Sequence, residues 1–351
     1  MRVAVTGASG NVGTSVVGAL LADERIEKVI GISRRRPETP DGDRLTWHTA
    51  DVITDPLVGA FEGADAVIHL AWAIQPSRDD AQLRATNVLG SRRVFDAAGA
   101  AGAGTLVNAS SVGAYSPARS GTRPIDESWS TGGIETSFYS RHKAEVEGEL
   151  DQFSSRYPDV RTVRLRPGLI FKRASASEIR RYFGGPLVPG SLLKPGRLPI
   201  FPWIDGLRTQ AVHTDDVAEA YRLAVTGEAE GAFNIAADPI LDADSLAEGL
   251  GVRVVGLPGG VARTGADLSW KARLQPTSPG WVDMARGAPL MDVSRARTEL
   301  GWNPTRTAID AIRELLEGMA DGAGGPTPPL EADAGGPLRI REFLAGLGAR
   351  D

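Results

Sequence analysis

The sequence predicts an α/β fold: a doubly wound parallel sheet with helices on both faces, and a smaller mixed subdomain toward the C-terminus for substrate binding. Two observations support this prediction. Short apolar runs alternate with stretches of helical apolar spacing along the first half of the chain, which is typical of a parallel sheet. A glycine-rich turn also joins the first of these runs to the first helical stretch.

The first strand, its turn and the helix after it are typical of a dinucleotide-binding site. Residues 3–5 are an apolar run, and helical spacing of apolar residues begins directly behind the glycines. Gly7 permits a tight turn, Gly10 lets the backbone approach a pyrophosphate at the helix N-terminus, and Gly13 lets helix and strand pack closely. An ordinary strand-to-helix turn is the alternative, and the order of strand, turn and helix favours the nucleotide site.

Further strands and helices alternate behind this unit. We predict strands at residues 28–33, 45–48, 66–70, 105–109, 161–165 and 233–236. Helices are predicted at residues 14–23, 56–62, 84–99 and 137–153, and from residue 213 onward with Asp215 as the cap. Residues 184–206 are rich in glycine and proline and predict a loop-rich region.

The elements predict two interleaved domains and a tail. The domains are a dinucleotide-binding domain, residues 1–171 and 211–239, and a substrate-binding subdomain, residues 172–210 and 240–317. Residues 318–351 are predicted to be a Gly/Pro-rich linker and C-terminal tail. Within this tail, the stretch 322–337 is expected to be mobile, and residues 338–347 are expected to form a last short helix.

Composition excludes several classes of partner. A hydrophobic share of 42% with 24% charged residues is that of an ordinary soluble globular protein. The net charge of −5 offers no basic face for nucleic acid, and no apolar run is long enough to span a membrane. The chain has no cysteine and four scattered histidines, so no metal site is expected. Because the first strand begins at once, no signal peptide is expected either, and we predict a cytoplasmic protein.

Tyr139 and Lys143 are the candidate proton-transfer pair. Their four-residue spacing places both side chains on one helix face, although a solvated helix surface is the alternative for the pair alone. A neighbouring ammonium favours the phenolate and is expected to lower the tyrosine pKa, as acid–base work on a carbonyl or alcohol requires. Residues 108–111 end the fifth strand, where open α/β sheets bind ligands and a serine hydroxyl can orient a substrate oxygen.

The pattern Thr6-Gly7-x-x-Gly10-x-x-Gly13 resembles the fingerprint of the short-chain dehydrogenase/reductase superfamily. The length of 351 residues is that of its extended, epimerase/dehydratase-like branch. Further segments resemble this branch in the same order along the chain, at residues 69–72, 86–90, 166–168, 292–296 and 300–304. The resemblance implies a Rossmann fold and a homodimer formed through the helix that carries the candidate tyrosine.

The same resemblance implies a Ser-Tyr-Lys active site. Tyr139 and Lys143 follow the fingerprint at the distance that the superfamily uses. Its catalytic hydroxyl stands four residues before a tyrosine, here Tyr115, which selects Ser111 over Ser110. The residues that the resemblance places against the cofactor are Gly7, Ser9, Gly10, Asn11, Val12, Gly13, Ser33, Arg34, Arg35, Asp51, Val52, Leu70, Ala71, Trp72, Asn87, Tyr139, Lys143, Pro167, Gly168 and Leu169.

Two departures from the family pattern narrow the reaction. Dehydratase members carry an Asp-Glu pair directly after the catalytic hydroxyl, and Val112 and Gly113 stand there instead, so dehydration lacks its acid. Nucleotide-sugar epimerases usually carry an asparagine that binds the diphosphate, and Leu169 occupies the matching position. A leucine side chain cannot donate a hydrogen bond to phosphate.

The residues after the second strand indicate NADP, with NAD as the possible alternative. The carboxylate that would hold the ribose 2′-hydroxyl is expected about 20 residues after the glycines, and Ser33 stands there. Arg34 and Arg35 follow, and guanidinium groups can bind a 2′-phosphate. A solvated charge run leaving a strand is the other interpretation of these arginines.

We therefore predict an NADP(H)-dependent oxidoreductase that interconverts a carbonyl and an alcohol on a small organic substrate. A sugar epimerase that recycles its cofactor is the runner-up, because it uses the same three residues. A non-catalytic dinucleotide sensor is disfavoured since Tyr139 and Lys143 are both present. A hydrophobic substrate is expected from the apolar side chains of the substrate region and its surroundings: Phe183, Leu187, Leu192, Leu193, Phe201, Trp203, Trp270, Trp72 and Trp129.

Overall fold

A seven-stranded parallel sheet forms the centre of the molecule. In the computed structural model, which describes residues 1–74, 78–118, 123–184, 200–272 and 277–332, its strand order is β10-β6-β5-β4-β1-β2-β3. These strands are β1 Arg2–Thr6, β2 Lys28–Ser33, β3 Leu45–Thr49, β4 Ala66–His69, β5 Thr105–Ala109, β6 Arg161–Pro167 and β10 Gly231–Ile235. The order reverses between β4 and β1, which opens a crevice at the carboxyl ends of these strands. The predicted doubly wound sheet is confirmed.

Helices cover both faces of this sheet. The α-helices are α1 Asn11–Ala22, α2 Val58–Phe61, α3 Asp80–Arg84, α4 Gly90–Ala100, α5 Phe138–Arg156, α6 Ala176–Ile179, α7 Thr214–Thr226, α8 Ala243–Leu250, α9 Gly259–Lys271, α10 Pro279–Gly287, α11 Ser294–Thr298 and α12 Ala308–Asp321. Alternation along β1 assigns the faces: Val3 and Val5 pack with α1 and α7, whereas Ala4 packs with α4 and α5. Among the residues described, no helix has both the length and the apolar character needed to cross a bilayer.

Two smaller sheets build the mixed subdomain. One has the order β11-β9-β7, with β7 Leu169–Phe171 parallel and β11 Ala237–Leu241 antiparallel to β9 Thr209–His213. The other pairs β8 Ile200–Ile204 with β12 Arg253–Leu257. The strand β8 lies in the stretch 184–206 that was predicted to be loop-rich. Local composition did not indicate this strand, because its hydrogen bonds are completed by a partner strand that is distant in the sequence. Residues 185–199 of that stretch lie outside the described residues.

The residues after α12 contact the rest of the molecule, whereas the sequence predicted a mobile linker there. Gly322 ends this helix in the left-handed conformation with φ of 64°, but the following residues do not project from the molecule. The Thr327 hydroxyl donates to the Ser9 carbonyl oxygen at 2.7 Å, and Leu330 is 1% exposed. The mobility expected for residues 322–332 stays a prediction, and the contacts of Thr327 and Leu330 count against it. The helix predicted at 338–347 lies outside the described residues.

The start of α7 differs from the prediction in its cap. The Nδ1 atom of His213 accepts a hydrogen bond from the Asp215 backbone N–H, so His213 caps the helix and Asp215 belongs to its first turn. An acidic side chain in the first turn still stabilises the helix dipole. The helix itself begins where the sequence places it.

Candidate active site

The glycine turn between β1 and α1 forms a cradle that larger residues would fill. Gly7 has a φ of 71°, and a Cβ atom there would lie 2.7 Å from the Ala71 nitrogen. A Cβ atom on Gly13 would lie 2.2 Å from the carbonyl oxygen of Gly7. At Gly10, the same atom would meet only that carbonyl oxygen, at 3.3 Å, among the described residues. The outer side of the turn is thus open at the N-terminus of α1, which fits the pyrophosphate of a dinucleotide.

The other predicted cofactor residues gather at the same edge of the sheet. Apart from Asn87, Tyr139, Lys143 and Leu169, they stand at the carboxyl ends of β2, β3, β4 and β6, where an open α/β sheet binds its ligand. Ser33 is buried at the end of β2, and its hydroxyl donates to the Arg35 carbonyl oxygen at 2.8 Å. The side chains of Arg34 and Arg35 are exposed beside it. Leu169, which begins β7, is 38% exposed.

Asn87 is engaged with the protein backbone. Its Oδ1 atom accepts from the Ala73 nitrogen at 2.7 Å, and its Nδ2 atom donates to the Ala73 carbonyl oxygen at 3.0 Å. The residue lies in the π-helical turn Ala85–Leu89, a distortion that is common at functional sites. Asn87 therefore fixes the loop that carries Trp72, and a direct contact with the cofactor stays a prediction.

Ser111 and Tyr139 meet at the end of β5. The Ser137 hydroxyl caps α5, so that Tyr139 stands in its first turn, and Ser111 lies near enough to the Tyr139 phenol to lower its pKa. The Ser111 hydroxyl also accepts the Gly113 backbone N–H at 3.0 Å. The neighbouring Ser110 points elsewhere, donating to Glu147 at 2.5 Å. Of the two adjacent serines, the structure brings Ser111 to the tyrosine.

Lys143 lies deeper than its partner tyrosine. Its Nζ atom donates to the Ala109 carbonyl oxygen at 2.6 Å and lies 3.5 Å from the centroid of the Trp72 ring, a cation–π contact. The same atom is 5.8 Å from the centroid of the Tyr139 ring. Burial lowers the pKa of Lys143 to about 7, and the charge of Glu147 opposes that shift.

The pKa of Tyr139 differs in direction from the expectation. Burial of the phenol raises its pKa, and the neighbouring Ser111 opposes this only in part. The predicted lowering by Lys143 is not seen, because the ammonium is directed to the Ala109 carbonyl and the Trp72 ring. At neutral pH the phenol is therefore protonated and stands ready as a donor.

Aromatic rings enclose the Tyr139 side chain. Trp72 meets its ring edge-on, with centroids 5.9 Å apart, and Trp281 of α10 packs against it at 5.2 Å. Trp281 also contacts Phe138 edge-on at 5.9 Å. On the same helix, the Met284 sulfur lies 3.3 Å from the point where a Cβ atom on Gly113 would sit. These walls make the surroundings of the phenol apolar.

The sequence analysis did not name Trp281 as a residue of the substrate site, and it named other aromatic residues that have structural contacts elsewhere. Trp281 lies within the substrate region, but nothing in its spacing relates it to the fingerprint. Phe201 and Trp203 pack against the core of the small subdomain, and Trp270 stacks on Arg78 at 4.0 Å. Trp129 donates its indole N–H to the Ser116 carbonyl oxygen at 3.1 Å. Of the remaining expected residues, Leu187, Leu192 and Leu193 lie outside the described residues.

A comparison with known families decides the assignment. Residues 3–236, more than half of the chain, match the model of the NAD dependent epimerase/dehydratase family. The chain belongs to this family. The resemblance inferred from the glycine pattern is thereby confirmed, and with it the prediction of an NAD(P)-dependent enzyme of the epimerase/dehydratase type.

The proteins to which this chain is similar differ widely in the activities for which they are named. An uncharacterized protein of Mycobacterium tuberculosis is 27% identical over 90% of this chain, which spans only 30% of that protein's length. A 3-diazoavenalumate denitrifying reductase of a Streptomyces species is 29% identical over 87% of this chain and 96% of its own. A UDP-glucuronic acid 4-epimerase from Bacillus cereus, solved with UDP-glucuronic acid and NAD, superimposes with a TM-score of 0.66 at 17% identity, covering 92% of this chain and 99% of its own. The last likeness shows the fold.

The glycine cradle generates a prediction with a matched control. Gly13→Ala places a Cβ atom against the Gly7 carbonyl oxygen, so α1 must shift away from β1. We expect the free energy of unfolding to fall by about 1–3 kcal/mol and the affinity for the reduced cofactor to fall as well. Gly18→Ala, in the same helix with open space at its Cβ position, should gain about 1 kcal/mol and bind the cofactor normally. Urea unfolding and fluorescence titration measure both quantities, and equal behaviour of the two variants would refute the cradle.

Proposed function

We propose that the protein is an NADP(H)-dependent oxidoreductase that interconverts a carbonyl and an alcohol on a small hydrophobic substrate. The observation that carries the proposal is that the Tyr139 phenol lies beside Ser111 inside an aromatic enclosure. A bound nicotinamide cofactor supplies the hydride chemistry. Ser111 orients the substrate oxygen, Tyr139 exchanges a proton with it, and Lys143 holds the nicotinamide ribose.

The protonation state of Tyr139 favours carbonyl reduction at neutral pH. Because burial raises its pKa, the phenol carries the proton that a nascent alkoxide needs. Donation leaves a phenolate in an apolar enclosure, where Ser111, which lowers the tyrosine pKa, stabilises the new negative charge. The relative named as a reductase, at 29% identity, supports the same direction.

The substrate class follows from the walls of the site. Trp72, Trp281 and Met284 present aromatic rings and a thioether around the phenol, which suits an apolar or aromatic carbonyl compound. Leu169 offers no hydrogen-bond donor to a diphosphate. Assembly as a homodimer through α5 and a cytoplasmic location belong to the same proposal.

A nucleotide-sugar epimerase is the second candidate, favoured by the family and by the fold of the UDP-glucuronic acid epimerase. It would use Ser111, Tyr139 and Lys143 in the same way. The two functions differ in the part of the site that binds a diphosphate, where Leu169 replaces the usual asparagine.

Removal of the Tyr139 hydroxyl tests the active site. Tyr139→Phe should lower kcat for reduction of an aryl aldehyde by about 10²- to 10⁴-fold, while cofactor affinity and circular dichroism stay unchanged. Tyr157→Phe, at the far end of the same helix, is the control and should turn over normally. Near wild-type turnover in Tyr139→Phe would show that another group supplies the proton.

The end of β2 generates the cofactor prediction. NADPH should bind more tightly than NADH, because no carboxylate repels the 2′-phosphate at Ser33 and Arg34 is free to reach it through solvent. Ser33→Asp should shift the preference toward NADH. Arg36→Ala is the control, since Arg36 is paired with Asp41 at 2.7 Å, and it should leave the preference intact. Fluorescence titration with both cofactors measures this preference, and tighter binding of NADH by the wild type would contradict the assignment of NADP as the cofactor.

Calorimetric titration with UDP, dTDP and GDP separates the two candidate functions. The cofactor-loaded protein should show no measurable heat with any of them, because Leu169 offers no hydrogen-bond donor to a diphosphate. A hydrophobic aldehyde such as cinnamaldehyde should bind under the same conditions. Micromolar affinity (about −8 kcal/mol) for a nucleoside diphosphate would instead establish the epimerase.

A further inference from the structure

The helix that carries Tyr139 and Lys143 also carries a buried carboxylate. Glu147 follows Lys143 by one turn and is 2% exposed. The three residues repeat at intervals of four, so their side chains share one face of α5. A buried carboxylate is costly unless other groups satisfy its charge and its oxygens.

Both oxygens of Glu147 are paired. Oε1 accepts from the Ser110 hydroxyl at 2.5 Å and from Arg166 Nε at 2.8 Å. Oε2 accepts from Arg164 Nη1 at 2.8 Å and from Arg166 Nη2 at 3.0 Å. Arg166 continues the network through Nη1, which donates to the Tyr115 hydroxyl at 2.9 Å. The carboxylate is thereby fixed in position and in charge.

This network ends at the groups assigned to proton transfer. Ser110, which Glu147 holds, stands between Ala109 and Ser111 in the chain. The Ala109 carbonyl oxygen accepts from Lys143 Nζ, and Ser111 lies beside the Tyr139 phenol and lowers its pKa. One carboxylate therefore anchors the backbone on which both the ammonium and the serine depend.

We propose that Glu147 is a positioning residue, which keeps the Lys143 ammonium charged and fixes the end of β5 on which that ammonium docks. The proposal rests on the proposed function, in which Lys143 acts as a cation. It assigns Glu147 no contact with substrate or cofactor.

The charges around Lys143 support the part of the proposal in which Glu147 keeps the Lys143 ammonium charged. Among the described residues, the titratable groups coupled to Lys143 or Glu147 are His69, Tyr115, Tyr139, Arg164 and Arg166, and Asp151 and Glu127 adjoin the two arginines. Burial lowers the pKa of His69 to about 3 and raises the pKa of each of the tyrosines, so these groups are neutral near pH 7. The arginines hold the pKa of Glu147 down at about 2. Glu147 thus supplies the negative charge that opposes deprotonation of Lys143.

The test compares Glu147→Gln, Glu147→Asp and Asp151→Asn. Affinity for the reduced cofactor, measured by fluorescence between pH 5 and 9, should decline as Lys143 loses its proton. Removal of the carboxylate charge lowers the pKa of Lys143 further, so in Glu147→Gln this decline should begin about one pH unit lower. Glu147→Asp retains the charge and should keep the wild-type profile. Asp151 pairs with Arg164 at 2.8 Å from an exposed position, and Asp151→Asn should change nothing.

Turnover of cinnamaldehyde across the same pH range is the second readout. Glu147→Gln should move its alkaline decline in step with cofactor affinity, whereas a purely structural residue would lower activity equally at every pH. An unmoved decline in Glu147→Gln, or an equal movement in Asp151→Asn, overturns the proposal. If no carbonyl is turned over even by the wild type, the proposed function fails while the cofactor measurement still tests Glu147.

Ser110→Ala covers the case in which Glu147→Gln does not fold. It removes one hydrogen bond to the carboxylate but no charge, so the alkaline decline should stay in place. Because β5 is then held less firmly, kcat should fall about tenfold with KM unchanged. Wild-type kcat in this variant, or a displaced decline, would contradict the positioning role.

Discussion

Burial of the Lys143 ammonium is the constraint on which the candidate site depends. The side chain is 4% exposed, and removing such a charge from water costs several kcal/mol unless neighbours compensate it. A backbone carbonyl, the face of Trp72 and a carboxylate one turn along the helix provide the compensation. Each of these comes from a different part of the chain, so α5, the end of β5 and the loop after β4 must be held together before the lysine can be charged.

The parallel sheet brings these parts to one place. Its strands end at a common edge, where the reversal of strand order between β4 and β1 leaves room for a dinucleotide. The glycine cradle lies on one side of this crevice, and the phenol of Tyr139 lies at the carboxyl end of β5. In the proposed function, the features that favour a hydrophobic carbonyl over a nucleotide sugar are the rings that wall the tyrosine and Leu169, which lie outside this shared frame. The family fold alone leaves the substrate class open.

The local features of the fold and site were predictable from sequence. Short sequence patterns predicted the glycines that tolerate no side chain, the helix face with a four-residue period, and the choice of Ser111 over Ser110. Packing between distant segments was not predictable in this way. Trp281 comes to the site from α10, and Glu147 comes from two turns after Tyr139 in α5. Thr327, in the segment after α12, is buried against Ser9 of the glycine turn. The expected lowering of the Tyr139 pKa was wrong for the same reason, because burial raises this pKa and the Lys143 ammonium is directed to the Ala109 carbonyl oxygen and the Trp72 ring.

The stoichiometry of the reaction tests the central claim most directly. An oxidoreductase changes its substrate and its cofactor together, whereas an epimerase returns the hydride and leaves the cofactor unchanged. Purified protein, NADPH and cinnamaldehyde should be incubated while cofactor absorbance and product alcohol are followed together. The account predicts that one NADPH is consumed for each alcohol formed, and that Tyr139→Phe abolishes both. Conversion of a UDP-sugar to its epimer, with no net change in cofactor absorbance and no reduction of any carbonyl compound, would contradict it.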